Sequence, residues 1–130
     1  MKILSLFVML LTLVAYKVNA QESNCEKFKN GHFIIPKDSH APESTIIRNG
    51  SIQTEQVKGS KEVSEFVVEW VDECTYTLTP TAKTRKLYKN LPKDATLTVE
   101  IIEVKKNSYI QRSTSSFSDF VATTEVIKVK

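Results

Sequence analysis

Between Glu65 and Thr79 the side chains alternate with a period of two. Phe66, Val68, Trp70, Cys74, Tyr76 and Leu78 fall on one parity. Glu65, Glu69, Glu73, Thr75, Thr77 and Thr79 fall on the other, with Val67 and Val71 as exceptions. A strand sends alternate residues to opposite faces, so this segment belongs in a sheet with one face buried and the other mostly wet. It is long for one strand, whose usual length is about 5–6 residues. A three-residue turn at Val71-Asp72-Glu73 divides it into a hairpin. That turn pairs Trp70 with Cys74, Val68 with Tyr76 and Phe66 with Leu78, keeping all six on one face. A two-residue turn at Asp72-Glu73 would pair Trp70 with Thr75 and break the register. One long, bent strand is the alternative. Trp70, the only tryptophan, sits mid-face and is expected at the centre of the core.

The rest of the chain repeats the strand signal. Val, Ile, Thr, Phe and Tyr come in short alternating runs, and no stretch has convincing helical periodicity. His32–Ile35 reads as a first strand ending at Pro36. Residues 45–54 read as a hairpin around Asn49-Gly50, a dipeptide that tolerates the positive φ of a type I′ turn. Residues 96–105 and 109–113 flank Lys106-Asn107 as another hairpin, and 119–129 forms the last strand. Loops fall at 37–43, 58–61, 80–94 and 114–118. The expected fold is all-β: an antiparallel meander of about eight strands curled into a barrel or half-barrel, lipocalin-like in architecture. A two-sheet sandwich is the runner-up.

The N-terminus sets the expected compartment. Lys2 precedes an apolar run from Ile3 to Tyr16, and Val18-Asn19-Ala20 supplies a cleavage site. That order is a secretory signal peptide. The run is short for a membrane span, which needs roughly 20 residues. The expected organisation is a signal peptide over 1–20 and one β-domain over 21–130, in the periplasm or outside the cell, with no membrane span once the signal is removed. Without Lys2 and Lys17, 16 of the 18 basic residues remain against 15 acidic ones, a net charge of +1. Nucleic-acid binding wants a basic patch. The nearest is Lys83, Arg85, Lys86, Lys89 and Lys93, read as a solvated connection. Two cysteines in an exported chain suggest one disulfide, Cys25–Cys74. Its loop of about 50 residues is worth roughly 4 kcal/mol in the chain-entropy model. Two separate thiols are the other reading.

Catalytic motifs are missing. There is no G-x-S-x-G, H-E-x-x-H, P-loop or C-x-x-C, and these carry the commonest nucleophile, zinc and phosphate chemistries. His32 and His40 are read as surface residues, because a metal site needs three or four ligands in fixed geometry. No cofactor and no metal site is expected. One polar set stands out: Arg48, Gln53 and Glu55 share a face of the Asn49-Gly50 hairpin, where Arg48 is expected opposite Ser51. Ile47, Ile52, Thr45 and Thr54 share the other face. If the Ile47/Ile52 face is inward, which is the preferred reading, the polar set is solvated. If the polar face is inward, an Arg-Glu pair bridged by Gln must satisfy itself inside the barrel, fixing register or meeting a polar ligand. Asn49-Gly50-Ser51 also matches a glycosylation sequon, although the turn accounts for the same residues. Phe28, Phe33, Phe66, Trp70 and Tyr76 are expected to form the core; lining a ligand cavity is their alternative role.

The spacing R-x-G-x-x-Q-x-E, here Arg48, Gly50, Gln53 and Glu55, is followed by W-x-x-x-C-x-Y-x-L, here Trp70, Cys74, Tyr76 and Leu78. With the early Cys25, the chain resembles a family of small exported bacterial proteins over about residues 25–80. Members often carry the name DNA topoisomerase IV. These residues do not support that activity. It requires a nucleophilic tyrosine, an acidic metal cluster and an ATPase partner, and an exported β-domain of about 110 residues has no room for them. The expected function is that of an exported, non-enzymatic β-domain. The alternatives are a binding module for a small apolar or amphipathic ligand, and a periplasmic enzyme or enzyme inhibitor.

Overall fold

A computed structural model of the chain describes residues 24–130. The signal peptide expected over 1–20 lies outside the described residues. A short 3₁₀ turn, η1 (Glu26–Phe28), leads into eight strands: β1 (Gly31–Ile35), β2 (Ser44–Asn49), β3 (Ile52–Val57), β4 (Ser64–Trp70), β5 (Thr75–Pro80), β6 (Leu97–Val104), β7 (Ser108–Ser115) and β8 (Ser118–Lys128). A helix of six residues, α1 (Ala82–Leu87), interrupts the β5–β6 connection. All neighbours pair antiparallel, and β1 pairs with β8 to close the barrel. The all-β meander of eight strands is therefore present and closed. The sandwich is ruled out, and α1 occupies part of the stretch expected to be loop.

Two hairpins depart from the expected register. Arg48 pairs with Gln53 rather than Ser51, and Trp70 pairs with Tyr76 rather than Cys74. In the first, Asn49 stays in the strand and the turn is centred on Gly50-Ser51. Only Gly50 has positive φ, +60°, which is the pattern of a type II′ turn with glycine at its first central position. The side chain of Asn30 accepts a hydrogen bond from the Gly50 N–H at 2.7 Å. In the second, the strands are separated by four residues, 71–74, and five residues rather than three lie between the paired Trp70 and Tyr76; the Val71 N–H reaches the Thr75 carbonyl at 2.9 Å, and Asp72 accepts from the Cys74 N–H at 2.9 Å. Each pairing moves by two residues. A shift of one would have turned every side chain over, whereas a shift of two leaves both faces as expected.

The two ends of the barrel differ. At one end, η1 folds inward and Phe28 is fully buried against Tyr109, in the core cluster that also holds Phe33 and Tyr76. The Cys25–Cys74 disulfide, with Cα atoms 5.4 Å apart, ties η1 to the start of β5. Trp70 is the last residue of β4 and lies at this rim. It is only half-buried, its ring 4.7 Å from that of Tyr76 with the Lys29 ammonium 5.3 Å away. The expectation that Trp70 centres the core is thus corrected: Phe28 of η1 fills that place. At the opposite end α1 lies over the start of β4. The Thr84 hydroxyl, buried, donates to the Glu65 carbonyl at 2.7 Å and accepts from the Glu65 N–H at 2.6 Å.

Closure of the barrel depends on a close approach at Gly31. Its φ is +137°, and a Cβ there would lie 2.7 Å from the Lys130 carbonyl oxygen. That carbonyl accepts from the His32 N–H at 2.9 Å, and the Val129 N–H donates to the His32 carbonyl at 2.8 Å. We expect Gly31→Ala to open this seam, costing about 1–3 kcal/mol from the backbone conformation alone. Gly50→Asn is the contrast: nothing lies within 4 Å of a Cβ at Gly50, so only the positive φ is strained there, and Asn is among the residues that accept it in such turns. Thermal melts should show a clear loss for the first and a smaller one for the second. Equal melting temperatures would show that the seam does not require glycine.

Candidate functional site

The polar face of the β2–β3 hairpin points into the barrel. Arg48 and Gln53 are each 1 % exposed, whereas Ile47 and Ile52 are 41 % and 37 % exposed. The preferred solvated reading of this set is corrected. Burying a guanidinium is costly unless each donor finds an acceptor, and here each nitrogen does. Arg48 Nε donates to Gln53 Oε1 at 2.9 Å, and Nη1 donates to the Phe28 carbonyl at 2.6 Å. Nη2 donates to the hydroxyls of Tyr76 at 2.9 Å and Tyr109 at 3.1 Å. The Tyr76 hydroxyl also donates to Gln111 Oε1 at 3.3 Å. The guanidinium carbon lies 4.6 Å and 4.8 Å from the ring centres of Tyr76 and Phe33, where the negative faces of the rings stabilise a cation.

No carboxylate takes part. The Arg48–Glu55 pair that the inward alternative called for does not form; Glu55 lies one inward position further along β3, toward the opposite end. The cation is held by neutral oxygens and ring faces. Burial alone would lower the affinity of the guanidinium for its proton, but the two phenols offset this and leave its pKa raised. Burial, reinforced by Tyr109, pushes the Tyr76 phenol well above its ordinary value, against the opposing pull of Arg48. The guanidinium therefore stays charged and the Tyr76 phenol neutral over the working pH range. It bonds η1, β2, β3, β5 and β7 together, and among the described residues no buried side-chain polar atom lacks a partner. A satisfied network of this kind organises a core and offers no free group for chemistry.

The other end is different. Beyond Phe66 the interior is not filled by strand side chains. It opens into a cavity of about 310 Å³ between β3, β4, β5, the start of β6, α1 and the loop that follows it. Phe66, Pro80, Tyr88, Leu91 and Leu97 supply apolar wall, and Glu55 is the polar group reaching in from β3. Tyr88 and Ser64 approach across the opening, their hydroxyls 3.4 Å apart. The Glu55 carboxylate has no hydrogen bond or ion pair among the described residues, and burial raises its pKa. The cavity belongs to the size class of small-molecule sites, which run from about 300 to 1,000 Å³.

Sequence reasoning grouped Arg48, Gln53 and Glu55 on one face, and the structure splits them between the two ends. It missed Tyr109 and Gln111 as partners, although both lie on the buried parity of β7 with polar tips aimed at the interior. It missed Leu91 and Tyr88 because residues 80–94 read as solvated connection. For the lysines there that reading holds: Lys83, Lys86, Lys89 and Lys93 are exposed, while Arg85 caps the Pro92 and Lys93 carbonyls at 2.9 and 2.8 Å. His32 and His40 are exposed, and no group of three or more His, Cys, Asp or Glu among the described residues is placed to hold a metal. Comparison with protein-family models, curated proteins and solved structures found no match to this chain.

Arg48→Met should orphan the Gln53 amide oxygen and the Phe28 carbonyl. At about 1–3 kcal/mol per orphaned acceptor, the loss is roughly 2–6 kcal/mol. Adding Gln53→Leu removes one orphan and should recover part of it, which chemical denaturation of the single and double variants measures. Alkaline pH provides a second test. The folded Tyr76 pKa is raised, so the stability it contributes is complete below the ordinary phenol value of about 10 and declines as pH rises beyond it. Tyr76→Phe should flatten that decline. An unchanged alkaline slope would place Tyr76 outside the network's energetics.

Proposed function

We propose that this chain is an exported, non-enzymatic binding module that holds a small apolar or amphipathic molecule in the open end of its barrel. The observation that carries the reading is the cavity itself. A barrel of eight strands has an interior just wide enough to be packed by its own side chains or to hold one small ligand. Here the half under η1 is packed and the half under α1 is not. A domain of this size has no core volume to spare, so an apolar cavity of about 310 Å³ is a stability cost that ligand binding would explain.

Other features agree with the reading. Among the described residues, the polar side chains around Arg48 are engaged with one another and with the Phe28 carbonyl. The disulfide suits an oxidising compartment and supports export, as does the resemblance to small exported bacterial proteins. The likeness to lipocalins is one of architecture, and the function is argued from the cavity.

The neutral fluorophore N-phenyl-1-naphthylamine tests the proposal. The protein should bind one equivalent saturably, with a blue-shifted, enhanced emission. Leu97→Trp and, separately, Leu91→Trp fill the cavity from two sides and should weaken binding at least tenfold while circular dichroism stays native. Absence of saturable binding, or binding indifferent to both substitutions, overturns the proposal.

A further inference from the structure

We propose that the ligand of this cavity is a small amphipathic cation, an alkyl or aryl amine in its protonated form, with Glu55 as its counter-ion. This deepens the binding-module reading and rests on it. The charges that line the cavity are of one sign. Two ionisable carboxyls, Glu55 and Glu62, belong to the wall, and no lysine, arginine or histidine does. The chain as a whole is nearly balanced, so this one-sided lining is local. The basic residues nearest in sequence are directed elsewhere: Lys61, Lys83, Lys86, Lys89 and Lys93 are exposed, Arg85 donates to the Pro92 and Lys93 carbonyls, and Lys58 lies 4.0 Å from Glu43.

Position separates the two carboxyls. Glu62 is exposed, whereas Glu55 is half-buried. Glu55 continues the inward face of β3 after Gln53, so its carboxyl sits at the floor of the cavity, where the packed half of the barrel begins. The groups facing it are known from each side. Arg48 of β2 shares its face but is engaged with Gln53, Phe28 and two tyrosines. Tyr76 of β5 is close enough that the charge on Glu55 helps to raise its pKa. Tyr88 and Glu62 stand at the opening, and β4 and β6 contribute Phe66 and Leu97. None of these supplies Glu55 with a cation. An acid placed among apolar groups without a partner is destabilising when ionised. An ammonium entering with an apolar tail satisfies both parts of the cavity, the tail against Phe66, Leu91 and Leu97 and the charge against Glu55.

A matched set of ligands isolates the charge: octylamine, octanol and octanoate, each titrated as competitors of N-phenyl-1-naphthylamine on protein purified after expression of the full chain. Octylamine should bind at least tenfold more tightly than octanol, and octanoate more weakly than either. In Glu55→Gln the amine should fall to the level of the alcohol, with octanol unchanged and the melting temperature at neutral pH higher than wild type. Glu62→Gln should keep the preference. Because the Glu55 carboxyl pKa is raised, the preference should fade as pH falls through that raised value, since the protonated acid attracts no cation. Equal affinity for octylamine and octanol while the fluorophore still binds overturns the cation proposal and leaves the binding module standing. A preference abolished by Glu62→Gln and kept by Glu55→Gln also overturns it, assigning the effect to the rim. Failure of the fluorophore and all three competitors to bind overturns the underlying function as well.

Discussion

The buried guanidinium of Arg48 organises this barrel. It has no carboxylate beside it, so its stability inside the protein depends on five elements converging: its own strand, Gln53 on β3, the Phe28 carbonyl of η1, and the hydroxyls of Tyr76 and Tyr109 on β5 and β7. A charge that must be satisfied from so many directions allows few arrangements of those strands. It therefore specifies how the sheet curls and where η1 enters, whereas apolar contacts alone would tolerate several packings.

The same interaction divides the interior. Side chains that serve Arg48 fill the barrel beneath η1, and the disulfide holds η1 down over them. Nothing equivalent occurs at the far end. There α1 and the following loop make a wall rather than a plug, fastened to β4 through the two hydrogen bonds of Thr84. A rigid, closed end and a half-open, apolar end give a cup. The inward face of β3 crosses the boundary between them, which is why Gln53 belongs to the network and Glu55 to the cavity.

At the hairpins, local hydrogen bonds move the turns away from where the sequence alone puts them. Asn49-Gly50 signalled a turn, and the turn is there, one residue later than the dipeptide suggests, because Asn30 engages the Gly50 N–H and only Gly50 takes positive φ. The four-residue loop before Thr75 is likewise shaped by Asp72 accepting from the Cys74 N–H. Such local hydrogen bonds decide loop length. Both shifts preserve side-chain parity, so the faces were legible even though the partners were not.

Period-two alternation, turn residues and two cysteines were enough to determine an antiparallel all-β chain of eight strands and its disulfide, because these features act between near neighbours or through the simple logic of pairing. Which face of β2 and β3 turns inward was decided only by the tertiary structure. On local grounds an Ile47/Ile52 face should outcompete one carrying Arg48 and Gln53. The order reverses because acceptors from η1, β5 and β7, up to 61 residues away in sequence, remove the cost of burying the charge. Closure of the barrel at Gly31 and the half-open cavity under α1 are likewise properties of strands and loops meeting in space. No local pattern encodes them, since each exists only once distant segments are brought together.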